Sequence, residues 1–162
     1  MSLPAVPVSQ SPEDKFREFL TSRSPAQRLT EQQREMVRFI FAQHHHFDAD
    51  QLMEGLKQAG LVISRATVYR TLTKLVEAGL LRKIELGPRM CYEHDYGYPH
   101  HEHLHCARCN KMIEFQSPKI EEALRDICAQ QAFKASGYTL LIRGICAECT
   151  KAKVSRRLLD LV

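Results

Sequence analysis

The chain's 162 residues give room for one ordinary domain or for two small ones. Its apolar content of 44% includes no apolar run near the roughly 18 residues of a membrane span, and a formal charge of +4 is too mild to name a partner. The opening Met1-Ser2-Leu3-Pro4-Ala5-Val6-Pro7 lacks the positive charge and apolar stretch of a secretory signal. A cytoplasmic, reduced environment is therefore expected, in which six cysteines serve as metal ligands or small buried hydrophobes rather than as a disulfide framework.

Residues 1–11 are rich in Pro and Ser and read as a disordered leader. Ser11-Pro12 then reads as a cap and first-turn proline ahead of Phe16, Phe19 and Leu20 at helical spacing. Thr30-Glu31-Gln32-Gln33 is a capping box for a helix burying Met36, Val37, Ile40 and Phe41. Asp48 caps a third helix with Leu52 and Leu56 inward, ended by Gly60, and His44-His45-His46 would stand at its start. After the turn Leu61-Val62-Ile63, Ser64 caps a fourth helix with Val68, Leu72, Leu75 and Val76 inward, stopping at Gly79. Helix, short turn and capped helix make a helix-turn-helix, and strands over 80–86 and 90–94 about Gly87-Pro88 add a wing. Residues 12–94 are thus expected to form a winged helix. From Lys57 to Arg89 seven basic residues (Lys57, Arg65, Arg70, Lys74, Arg82, Lys83, Arg89) face only Glu77 and Glu85, which makes this the stretch for phosphate contacts.

A hinge is expected over 95–99 and a second domain over 100–162. It would have strands at Lys111–Phe115 and Tyr138–Arg143 and, between them, a helix from Ser117-Pro118 carrying Ile120, Leu124 and Ile127, with Cys128 in the core. The fold class is α+β, and this second unit has too little apolar bulk to fold without a staple. Two knuckles supply one. Cys106-x-x-Cys109 and Cys146-x-x-Cys149 offer four thiolates, the closed tetrahedral shell of a structural zinc. Such a shell leaves no open position for catalysis.

All eight histidines fall within 44–46 and 94–105. In the second run imidazoles mix with carboxylates, a donor set that suits borderline divalent ions. If 102–106 is extended, His101, His103 and His105 share one face and His100, Glu102 and Leu104 the other, so two sites are available. His46 could join this loop and let a metal bridge the two domains.

With these features in hand, the chain resembles the ferric uptake regulator family over nearly its whole length after the leader. Ser64-Arg65-Ala66-Thr67-Val68-Tyr69-Arg70 is similar to that family's recognition helix, and His100-His101-Glu102-His103-Leu104-His105-Cys106-Ala107-Arg108-Cys109 to its metal motif. The resemblance implies a homodimeric, metal-responsive repressor of metal uptake or homeostasis genes, binding A·T-rich palindromic double-stranded DNA. It implies a regulatory site of His46, Glu93, His101 and His103 with Glu114 as a fifth ligand. A second site would comprise His100, Glu102, Glu121 and position 138. There the family usually has histidine and this chain has Tyr138, a poor ligand beside imidazole, so that site is expected to be weak, incomplete or differently built.

DNA contacts are implied for Tyr69, Arg70 and Arg28. The helical period independently turns Ala66, Arg70 and Thr73 outward with Thr67 and Lys74 flanking, and Arg65 opens the same helix. The sensed ion is expected to be iron(II), with manganese or zinc as alternatives. A peroxide sensor and a zinc sensor recruiting Cys91 are the competing readings within the family. Outside it stand a zinc hydrolase, which leaves the winged helix unexplained, and a protein-binding adaptor, which leaves the histidines unexplained. No enzymatic activity and no membrane partner are expected.

Overall fold

Helix α1 (Pro12–Ser22) opens where the Ser11 hydroxyl accepts the Asp14 N–H at 3.1 Å and Pro12 presets the first turn. A computed structural model describes the chain over residues 6–43, 45–86 and 89–151. Residues 1–5 of the expected leader, His44, the Gly87-Pro88 turn and residues 152–162 of the expected second domain lie outside the described residues. The chain divides into two compact units, the first ending at Pro99 and the second starting at His100.

In the first unit, α2 (Glu31–Phe41) and α3 (Ala49–Gln58) both start with reciprocal capping boxes. Thr30 and Gln33 exchange bonds of 3.1 and 3.3 Å, and Asp48 and Gln51 bonds of 2.9 and 2.8 Å. The fourth helix, α4 (Arg65–Glu77), is capped by Ser64. Gly60 and Gly79, just beyond α3 and α4, take φ of +79° and +64°, the left-handed region that ends a helix at little cost to glycine. One core joins the helices through Phe16, Leu20, Met36, Val37, Leu52, Leu56, Val68, Leu72 and Leu75, all nearly inaccessible to water. Leu72→Ala is expected to cost roughly 2–5 kcal/mol of stability by opening a cavity there, read as a lowered urea midpoint at unchanged m-value.

Three antiparallel strands close the unit in the order β1 (Phe47–Asp48), β3 (Arg89–His94), β2 (Leu81–Leu86). The two-residue β1 was not expected. It sets His45 and His46 ahead of a strand rather than at the start of α3. Residues 95–99, read from sequence as a hinge, are held to the first unit: the Asp95 and Tyr96 N–H groups reach Leu80 O at 3.1 and 3.3 Å, and Lys15 Nζ lies 4.0 Å above the Tyr96 ring. Of the expected leader, Val6 N–H donates to Gly97 O at 3.0 Å and Gln10 O accepts from the Tyr96 hydroxyl at 3.0 Å.

The second unit has a three-stranded sheet in which β4 (Glu102–Cys106) lies between antiparallel β5 (Met112–Phe115) and parallel β6 (Leu141–Gly144). Tyr138 to Leu140, expected within the last strand, precede it. Helix α5 (Pro118–Gln130) is amphipathic yet buries none of its residues; Ile127 is 55% exposed. Cys128, expected in the core, is only half-buried for the same reason. No helix among the described residues is long and apolar enough to cross a membrane.

Candidate functional site

The four knuckle cysteines converge, with all their sulfurs within 4.8 Å of one another. The first knuckle turns back on itself through an Asn110 N–H to Cys106 O bond of 2.9 Å, with Asn110 at φ +58°. The second runs from the end of β6 into helical residues 147–151, and Ala107 N–H donates to Gly144 O at 2.8 Å to hold the two together. Cys109 Sγ and Cys146 Sγ are 3.7 Å apart, close to the roughly 3.8 Å edge of a tetrahedral shell with zinc–sulfur bonds of about 2.3 Å. The Cys146 N–H points at Cys106 Sγ at 3.3 Å, and this with further backbone donors lowers the Cys106 thiol to about 6. Hydrogen bonding to Cys109, burial and the other two sulfurs push Cys149 up to about 12. One thiolate is welcome here and a crowd of them is not, which is the electrostatic setting that a divalent cation resolves. The donor set fits zinc.

In the first unit, β3 carries Glu93 between two partners. The β1–β3 register, Phe47 opposite Tyr92, brings His46 level with Glu93, and His46 Nε2 lies 2.7 Å from Glu93 Oε2. The β2–β3 register sets Arg82 directly opposite Glu93, and its Nε pairs with Oε1. The carboxylate is 3% exposed, so these partners compensate its burial. They also withdraw Arg82 from the basic stretch read from sequence. His94 is occupied otherwise, with Nε2 3.1 Å from Ile40 O and its ring stacked on Phe41 at 4.5 Å.

In the second unit, β4 sorts its side chains as an extended strand must. His101 and His103, both buried, bring their rings to 4.7 Å, and Glu114 is the cross-strand partner of His103. On the other face Glu102, 1% exposed, accepts a 2.6 Å hydrogen bond from the Tyr138 hydroxyl, and the His100 ring meets the Tyr138 ring edge-on at 4.5 Å. Burial, the bond to Glu102 and the nearby Glu121 raise the Tyr138 phenol to about 12. His100, Glu102 and Glu121 do not gather ligand atoms within the 4.8 Å that the cysteines achieve.

Helix α4 exposes Arg65, Ala66, Tyr69, Arg70 and Thr73 along one side, with Thr67 half-buried, and Arg28 is exposed on the segment before α2. Arg65 lies over the Tyr69 ring at 5.5 Å and pairs with Asp50 at 3.2 Å, a contact with α3 that the sequence did not signal. Lys74 is turned aside to Gln27 at 2.6 Å.

A capped helix-turn-helix with a strand wing, joined to a unit stapled by four cysteines and lined with histidine and carboxylate donors, defines a metal-responsive DNA-binding regulator. The sequence matches the model of the ferric uptake regulator family over residues 25–143. It is 32% identical to the ferric uptake regulation protein of Campylobacter jejuni over 145 residues, covering 87% of this chain and 91% of that one. It is 28% identical to the peroxide-responsive repressor PerR of Staphylococcus aureus, covering 86% and 95%. The fold aligns with the ferric uptake regulator of Francisella tularensis, solved with iron, at a TM-score of 0.66 and 30% identity over 76% of this chain and 94% of that one. The chain belongs to the ferric uptake regulator family of metal-responsive transcriptional repressors.

Proposed function

We propose that this protein is a cytoplasmic, homodimeric repressor of metal uptake or homeostasis genes, with iron(II) as corepressor and an A·T-rich palindrome as operator. It acts as a regulator and not as a catalyst, since a closed four-sulfur shell leaves no position for substrate. Cys106, Cys109, Cys146 and Cys149 hold structural zinc. His46, Glu93, His101 and His103, with Glu114 beside His103, form the regulatory shell.

The observation that carries the reading is that each unit presents its own pair of metal-ligating side chains: His46 and Glu93 at 2.7 Å on the wing sheet, and His101 and His103 with rings 4.7 Å apart at the start of β4. His46 and Glu93 from one unit, with His101 and His103 from the other, would hold a divalent ion, which when bound would supply coordination bonds to both pairs. His46 and Glu93 would then no longer move independently of His101 and His103, which would keep the recognition helices of a dimer at half-site spacing. Exposed Ile127, Phe133, Ile142 and Ile145 support a dimer through the second unit. Iron is favoured over zinc because the shell is N/O and because burial pushes the Cys91 thiol up, away from the thiolate that a zinc sensor would recruit.

The test is operator binding by chelator-treated protein under anaerobic conditions, with iron(II), manganese or zinc restored in turn. A gain of about tenfold or more with iron(II) is expected. A gain with zinc alone would transfer the assignment to zinc sensing, loss of the iron response after peroxide with an oxidised histidine would transfer it to peroxide sensing, and affinity indifferent to metal would defeat it. In the same assay Arg70→Ala is expected to weaken operator binding by about tenfold or more. A fall in salt slope by about one across all sequences would mark Arg70 as a phosphate contact, and relaxed specificity at one base pair as a base contact.

A further inference from the structure

The cluster that the regulatory reading leaves unused lies on the face of β4 opposite His103. Glu102 is a carboxylate at 1% exposure whose partner Tyr138 also meets the His100 ring and feels the charge of Glu121 from α5, residue types that elsewhere would take a divalent cation. The residues present do not fit one. Tyr138, at the sequence position where the family resemblance implies histidine, donates its hydroxyl to Glu102 Oε1 at 2.6 Å, which directs a hydrogen, and not a lone pair, at the carboxylate. The ring fills the space beside it, edge-on to His100 at 4.5 Å. Glu102 Oε2 is buried without a hydrogen-bond partner, so the carboxylate keeps one oxygen available, but His100 and Glu121 do not gather their ligand atoms about it.

We propose that Tyr138 makes this corner of the second unit a metal-free lock, its phenol holding Glu102 by hydrogen bond and ring packing in place of the second exchangeable cation that the family resemblance implies. The chain then takes its regulatory signal from one exchangeable ion, and Glu102 serves to fix β4 against the segment before β6. A neutral phenol satisfies half of the buried carboxylate at all times, whereas an ion would satisfy it only when metal is available. The segment carrying Tyr138 is thereby ordered whether or not metal is present.

Manganese(II) serves as the probe, counted by equilibrium dialysis and electron paramagnetic resonance on the full chain after mild chelation that leaves the four-sulfur site loaded. Counts are repeated with His46→Ala combined with His101→Ala, so that the ion of the proposed regulatory shell is subtracted and failure of that reading is seen separately. The unsubstituted chain should bind no manganese beyond the ion that this pair of substitutions removes. Tyr138→His should bind one more per chain, lost again on adding Glu102→Gln. Tyr138→Phe should bind no more than the unsubstituted chain but melt lower by roughly 5 °C, for loss of a donor to a buried carboxylate. A second manganese in the unsubstituted chain that Glu102→Gln removes overturns the proposal, as does a folded Tyr138→His that gains none. A Tyr138→Phe protein that melts unchanged overturns the lock even if the counts agree.

Discussion

Cys146→Ser is expected to remove zinc and unfold the second unit while the first keeps its helices. The asymmetry follows from where the apolar residues lie. The first unit buries more than a dozen aliphatic and aromatic side chains in one continuous cluster, and burial of that kind stabilises by roughly 1.5–3 kcal/mol per large side chain. The buried residues described for the second are His101, Glu102, His103 and Cys106, and α5 buries none. Its sheet is short, and its middle strand ends at Cys106, one of the four sulfurs. Structural zinc is worth roughly 10 kcal/mol or more in small peptides, which exceeds what this unit can raise from packing.

The measurement is zinc content with thermal unfolding followed by circular dichroism. Cys146→Ser should show no bound zinc, a partial loss of ellipticity, and one transition attributable to the helices of the first unit. Prolonged treatment of the unsubstituted protein with a strong chelator should produce the same curve. Retention of full ellipticity without zinc would show that the second unit folds on packing alone.

What could be read before the structure was local. The starts of α1, α2, α3 and α4 follow from Ser11, Thr30, Asp48 and Ser64, because a cap is chemistry between neighbours in sequence. The two C-x-x-C spacings, paired in one small unit, favoured a shared metal site over a redox pair, and the four sulfurs converge. Features that depend on register were not legible. Phe47-Asp48 is too short to show a strand period, yet its pairing with Tyr92 and Cys91 is what levels His46 with Glu93. Arg82 looks like one more phosphate-facing charge until the hairpin register sets it opposite Glu93. The apolar period of α5 reads as a buried stripe because sequence cannot tell a face covered within the chain from one left to a second copy. Tyr138 showed that the second cluster departs from the family, but the hydroxyl's bond to Glu102 was visible only once β4 and the approach to β6 were side by side.

His46→Ala should separate metal binding from DNA binding without unfolding the first unit. The side chain lies just ahead of a two-residue strand and outside the apolar cluster, so its removal opens no large cavity. Glu93, buried at 3% exposure, would be a liability if it lost its only cation, but Arg82 remains paired to its other oxygen. A ligand shifts a two-state equilibrium only by its difference in affinity for the two states. In the proposed shell that difference comes from holding donors of both units together. Removing His46 leaves His101 and His103 able to hold an ion from one side, with less to gain from the closed arrangement. The expected result is operator affinity without metal unchanged within about twofold, and a metal-induced gain falling from about tenfold or more to less than about twofold. His101→Ala should weaken metal binding itself as well, because it removes one of two neighbouring imidazoles. Should His46→Ala retain the full metal response, the coupling does not pass through the wing sheet, and the bridge between the units must be sought at other donors.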